Sequence, residues 1–124
     1  MAAITEDYVS FETAKLLKEK GFEERIRSWY DNNGFFHEEG CRMSNSDCLS
    51  PTVMAPTLQM AMKWLREKYN IHIEPRYFPT PNIYRYVIIH SPVTIENIDS
   101  HPQYFDTYEE ACEAAIKYCL ENLI

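Results

Sequence analysis

Glycine is scarce in this sequence, with three among 124 residues. So few, scattered, cannot build a phosphate-cradling loop, and neither a Walker loop nor a dinucleotide fingerprint occurs. No apolar run approaches the ~18 residues that a membrane-spanning helix needs. Basic surplus is missing too: the formal net charge is −7, which argues against holding duplex DNA by phosphate neutralisation. G-x-S-x-G and H-E-x-x-H are absent, so no catalytic residue is assigned and an enzyme is not the expected class. The opening MAAITEDYVS has no basic n-region or apolar h-region, so no secretory signal is expected and the localisation expected is cytoplasmic.

What is present describes a folded α+β protein. Apolar residues make up 45% and charged residues 25% of the chain, the ordinary globular range. The length suits one domain over residues 1–124. Acidity is concentrated at the C-terminal end, with seven acids and one base in residues 94–124 against four acids and six bases in residues 39–93. Cys41, Cys48, Cys112 and Cys119 read as reduced thiols. Cys112 and Cys119, seven apart on one helix, rise too far from each other to bridge and suit a core. His37, Cys41 and Cys48 are the one cluster with metal-ligand residue types. Their spacing matches no zinc pattern, so neither a metal nor a cofactor is expected.

Local signals set out the order α-β-β-α-β-β-α, with an antiparallel sheet and helices largely on one face. Ser10 caps a helix over about 11–20 that Gly21 stops, with Phe22 folding back on Leu17. Asn33-Gly34, between the aromatic runs RIRSWY and FFHE, predicts a hairpin with strands near 25–30 and 35–38. A second helix in residues 23–38 is the competing reading. Residues 39–55 lack any period and read as an irregular loop. Pro56 opens a second helix to about Tyr69, whose inner stripe is Leu58, Ala61, Met62, Leu65 and Tyr69. Strands follow at 71–74 and 83–90. Thr107 and Glu110 then form a capping box for the last helix.

Two groups of residues stand out as candidate sites. Met60 and Trp64 lie off the core stripe of the second helix, so they are a candidate interface, most simply for a homodimer. Tyr84 and Tyr86, with His72, Arg76 and His90 nearby, form a candidate ligand face if the tyrosine side of the sheet is open.

Three blocks, SFETAKLLKEKGF at 10–22, PTLQMAMKWLREKYNIHI at 56–73 and YEEACEAAIKYCLENLI at 108–124, together resemble a group of small hypothetical proteins of gut bacteria and their phages or other mobile elements. That resemblance implies an intracellular, phage-related setting and no particular reaction. The expected function is a non-enzymatic protein-interaction or regulatory domain that binds a protein partner or itself, with no duplex DNA and no membrane. The alternative is nucleic-acid or small-ligand binding on the aromatic sheet face.

Overall fold

The computed structural model describes residues 3–48, 51–96 and 104–124. The fold is α+β, with three α-helices and two antiparallel three-stranded sheets. The chain divides into two compact units, Met1–Ala61 and Met62–Ile124, with the division inside the second helix.

The first unit opens with α1 (Phe11–Glu19). The Ser10 side chain accepts a hydrogen bond from the Thr13 amide at 3.2 Å, satisfying one of the donors that a helix start leaves unpaired. At the far end the Phe22 amide donates to the Leu17 carbonyl and the Gly21 amide to the Lys18 carbonyl, the 6→1 and 5→2 bonds of a Schellman ending. Gly21 takes φ +89°, and both Phe22 and Leu17 are fully buried. The helix packs on the strand Val53–Met54, with Ala14 and Leu17 inward.

The sheet to which this strand belongs has the order β2-β1-β3, formed by β1 (Trp29–Tyr30), β2 (Phe36–His37) and β3 (Val53–Met54). The expected hairpin is present, shorter than read from the sequence. Trp29 faces His37 and Tyr30 faces Phe36. Its turn is organised by Asp31 rather than by the Asn33-Gly34 pair alone. The Asp31 carboxylate accepts from the Asn33 and Phe35 amides, and of Asn33 and Gly34 only Gly34 has positive φ, +81°. Residues 39–55 carry more structure than expected. Met43 bridges Ile26, a 3-10 turn spans Asn45–Asp47, and Val53–Met54 completes the sheet beside β1. Strands of two residues carry no readable period, so the sequence conceals them.

Helix α2 (Leu58–Tyr69) starts where the Thr57 hydroxyl accepts from the Met60 amide at 3.1 Å, and Asn70 at φ +54° ends it. The second unit then forms the meander β4 (His72–Phe78), β5 (Ile83–His90) and β6 (Val93–Glu96). β5 is central, as its apolar residues on both faces imply. β4 is an edge strand among the described residues, and this tolerates Pro75, which has no amide to donate. It runs three residues past Pro75, further than expected, because the other strand of the pair holds it in register through Phe78↔Ile83. β6 was not expected, although its β-branched, alternating V-T-I-E suits a strand.

Helix α3 (Tyr108–Asn122) packs on β4 and β5. The Thr107 hydroxyl accepts from the Glu110 amide at 3.1 Å, and Glu109 and Glu110 sit in the first turn, where the helix dipole favours negative charge. Ala111, Cys112, Ala115, Ile116, Cys119 and Leu120 are all fully buried, and small residues in that set let the helix approach the sheet closely.

Gly21→Ala isolates the cost of the left-handed position, because a Cβ there meets nothing within 4 Å. Urea denaturation should show a loss of about 1 kcal/mol; an unchanged midpoint would contradict the Schellman ending.

Candidate functional site

Strand register decides the fate of the expected ligand face. Paired residues in an antiparallel ladder point to the same side, and side chains alternate along each strand. Tyr84 pairs with Tyr77, Tyr86 with Pro75, and His90 with Val93, so Tyr84, Tyr86 and His90 share one face. His72 pairs with Ile89 and Arg76 with Arg85, which puts both on the opposite face. The five residues are thus not one constellation.

The tyrosine face is the side covered by helix α3. The Tyr84 ring meets Tyr108 of α3 edge-on at 6.3 Å, and Tyr86 is 5% exposed. Burial, with Tyr118 and Cys119 of α3 adding to it, pushes the Tyr86 hydroxyl above its ordinary pKa. Tyr86 is therefore no open stacking platform, and that expectation is corrected. The other face is mixed, with Ile83, Val87 and Ile89 of β5 among charged residues, and Val87 is buried. Arg76 and Arg85 stand directly opposite each other, a like-charge pairing that costs stability. Glu74 lies 3.7 Å from Arg76, and the Arg85 guanidinium lies over the Phe78 ring at 5.6 Å, both of which offset it. His72 Nε2 is 2.9 Å from the Asn70 side-chain oxygen.

The expected Met60–Trp64 contact pair also separates. Trp64 is 4% exposed, its ring edge-on to Tyr69 at 5.4 Å, although the 100° projection places its backbone off the core stripe. Met60 remains 39% exposed. It borders a groove of about 490 Å³ with Tyr8, Arg25, Arg27, Glu38 and Arg42, whose charges are mixed and where Arg25 pairs with Asp47 at 3.3 Å.

Two features of the first unit have no counterpart in the expectations from sequence. The first is an open aromatic surface. Phe35 is 66% and Phe36 38% exposed. Phe36 lies 4.7 Å from the Tyr8 ring and 5.3 Å from Tyr30, and Tyr30 lies 5.5 Å from Phe11. The Tyr30 hydroxyl donates to the Val9 carbonyl at 2.7 Å, and Lys15 Nζ sits 4.5 Å above the Phe11 ring. Four rings from three chain segments are thus fixed together, and Phe35 follows the turn immediately before one of them. Only the doublet Phe35-Phe36 next to a turn hints at this in the sequence.

The second is a concavity of about 500 Å³ lined by Trp29, Cys41, Met43, Asp47, Cys48 and Met54, among others. Register places Trp29, His37 and Met54 together, on the side of the sheet opposite Tyr30 and Phe36. His37 stacks on Trp29 at 4.0 Å with planes 11° apart, and its Nε2 lies 2.9 Å from Asp31 Oδ2. That contact, with the turn amides, holds the Asp31 carboxyl below its ordinary pKa. Gly40 completes the wall: a Cβ there would stand 3.2 Å from Trp29 Nε1 and from the Arg27 carbonyl oxygen. The Cys48 thiol contacts Met54 Sδ at 3.2 Å and the Ser44 carbonyl at 3.4 Å, and burial raises its pKa. Cys41 and Cys48, two members of the one cluster with ligand residue types, do line the same space; His37 is engaged by Asp31. Among the described residues no three His, Cys, Asp or Glu side chains converge as a metal cage.

No family model, curated protein or solved structure matches this chain.

The thiols divide sharply. Cys112 and Cys119 are fully buried, and desolvation pushes them up to about 11 and about 12 respectively. In native buffer near neutral pH a disulfide-exchange reagent should therefore modify Cys41 first and Cys48 more slowly, and leave Cys112 and Cys119 until denaturant is added. Rapid modification of all four in the native state, read by peptide mass, would contradict the packing of α3.

The Asp31–His37 contact has a signed pH consequence. A carboxyl whose pKa is lowered in the folded state stabilises the turn above its unfolded pKa, and that contribution is lost as pH falls through the lowered value. NMR titration should find Asp31 protonating below the ordinary carboxylate range, with the Asn33 and Phe35 amide signals moving in step. An ordinary Asp31 midpoint would remove the carboxylate from its role in the turn.

Proposed function

We propose that this chain is a non-enzymatic interaction domain that engages a protein partner through the aromatic surface of its first unit. The observation that carries the reading is the exposure of Phe36 within a fixed cluster of Tyr8, Phe11 and Tyr30, with the more exposed Phe35 next to it in the chain. Large rings left in water forgo most of the ~1.5–3 kcal/mol that burial of such a side chain supplies. A rigid aromatic surface loses little entropy on docking and is the usual material of interface anchors. The net charge of −7 favours a protein over duplex nucleic acid as the occupant. A phage-related, cytoplasmic setting is consistent with the resemblance of the helical blocks, and a second copy of the chain is the simplest partner of this kind.

Two measurements test the reading together. Phe35→Ser should change stability by no more than about 0.5 kcal/mol, because the ring is exposed. A photo-crosslinking amino acid at position 35, in cells expressing the chain, should give one discrete protein adduct, of dimer mass if the partner is a second copy. The adduct should vanish when Phe36→Ser is added. A ladder no different from that obtained at Glu121, an exposed position on α3, would overturn the proposal.

A further inference from the structure

We propose that the concavity behind Trp29 is a binding site for a soft monovalent cation of the copper(I) class, held by Cys48 and Met54 with Cys41 and Met43 on the same wall. Four sulfur side chains from three short segments line one space of about 500 Å³, and two of them already touch, Cys48 Sγ and Met54 Sδ at 3.2 Å. Thiolate and thioether sulfur together select soft cations, whereas hard ions take oxygen ligands.

The surroundings agree with a cation and with this class of cation. Glu39 and Asp47 border the space, in a chain of net charge −7. Zinc is disfavoured, because half of the sulfurs are thioethers and the nearest imidazole, His37, is held by Asp31 and stacked on Trp29. Trp29 and the methionines make much of the remaining wall apolar, with the opening to solvent at Cys41.

The geometry needs only a small adjustment. With metal–sulfur bonds of about 2.3 Å, two sulfurs sharing an ion at about 120° stand about 4.0 Å apart. The unbranched Met54 side chain can supply the remaining ~0.8 Å by rotation. Binding is ligand exchange without electron transfer. Each cysteine that coordinates loses one thiol proton to solvent, a sulfur–metal bond forms, and the ion keeps its +1 charge.

Silver(I) is the redox-inert probe. Reduced, air-free protein should take up one equivalent in titration calorimetry, and copper(I) should do so in competition with a chromophoric chelator. In spectra of methionine-methyl-labelled protein, the Met54 and Met43 signals should shift with that equivalent while Met60 and Met62 stay in place. Met54→Leu and Cys48→Ser should each weaken binding at least about tenfold, and zinc should bind at least about a hundredfold more weakly than silver. An unmoved Met54 methyl, equal affinity for zinc, or uptake only with loss of the folded spectrum as all four thiols react would each overturn the proposal. The methyl readout in the unmodified chain decides the matter even if a variant fails to fold.

Discussion

A buried side-chain amide ties three segments of the first unit to one another. Asn45 is 5% exposed, and both ends of its amide are used. Its nitrogen donates to the Phe22 carbonyl at 2.8 Å and its oxygen accepts from the Met54 amide at 2.9 Å. The exit of α1, the 3-10 turn and β3 are thereby fixed to one another at a point where no regular ladder could join them. A satisfied buried amide contributes modestly, but an unsatisfied one costs about 1–3 kcal/mol, so alternative arrangements of the 39–55 segment are penalised. Glu23 adds an exposed tie, its carboxylate accepting from the Ser46 amide and hydroxyl.

From that clip the two surfaces of the small sheet follow. β3 lies beside β1, tied also by the Ala55 amide to the Ser28 carbonyl and the Ser28 hydroxyl to the Ala55 carbonyl, and β1 has partners on both sides. Alternation along the strands sends Tyr30 and Phe36 to one side and Trp29, His37 and Met54 to the other. One side gathers rings and stays open. The other meets the segment from Glu39 to Cys48 and borders an open, sulfur-lined concavity. The same two-residue strands therefore supply both the proposed partner surface and the proposed ion site, with the Asp31–His37 contact spanning the turn between them.

Most ends of the helices were legible in the sequence because capping is local chemistry; the start of α2 was not, since Thr57 caps it where Pro56 was expected to open it. Ser10, Gly21 with Phe22, Asn70 and Thr107 each act within a few residues of themselves, and each does in the structure what its type implies. β5 was legible as a central strand because it is apolar on both faces. Long-range pairing was not. β3 is two residues long, and Asn45 looks like any loop asparagine until its partners at positions 22 and 54 are known. The covered side of the second sheet was equally hidden, since β5 offers aliphatic residues on one face and tyrosines on the other, and α3 chose the tyrosines. Trp64 shows the limit of a helical projection, which places backbone positions but does not fix burial. Of the candidate sites, Met60 remained at the surface, and the aromatic surface lay in a hairpin whose existence, but not whose exposure, could be read.

The hairpin of the first unit carries an open aromatic surface, whereas the tyrosine face of the second is closed at Tyr86, although Tyr77 at its end is 51% exposed. Solvent paramagnetic relaxation measures this directly. With a soluble, uncharged gadolinium chelate and dilute protein, the ring protons of Phe35 and Phe36 should relax strongly, those of Tyr8 and Tyr30 less, and those of Tyr86 and Trp64 hardly at all. Strong relaxation of Tyr86 together with protected Phe35 and Phe36 rings would contradict the account.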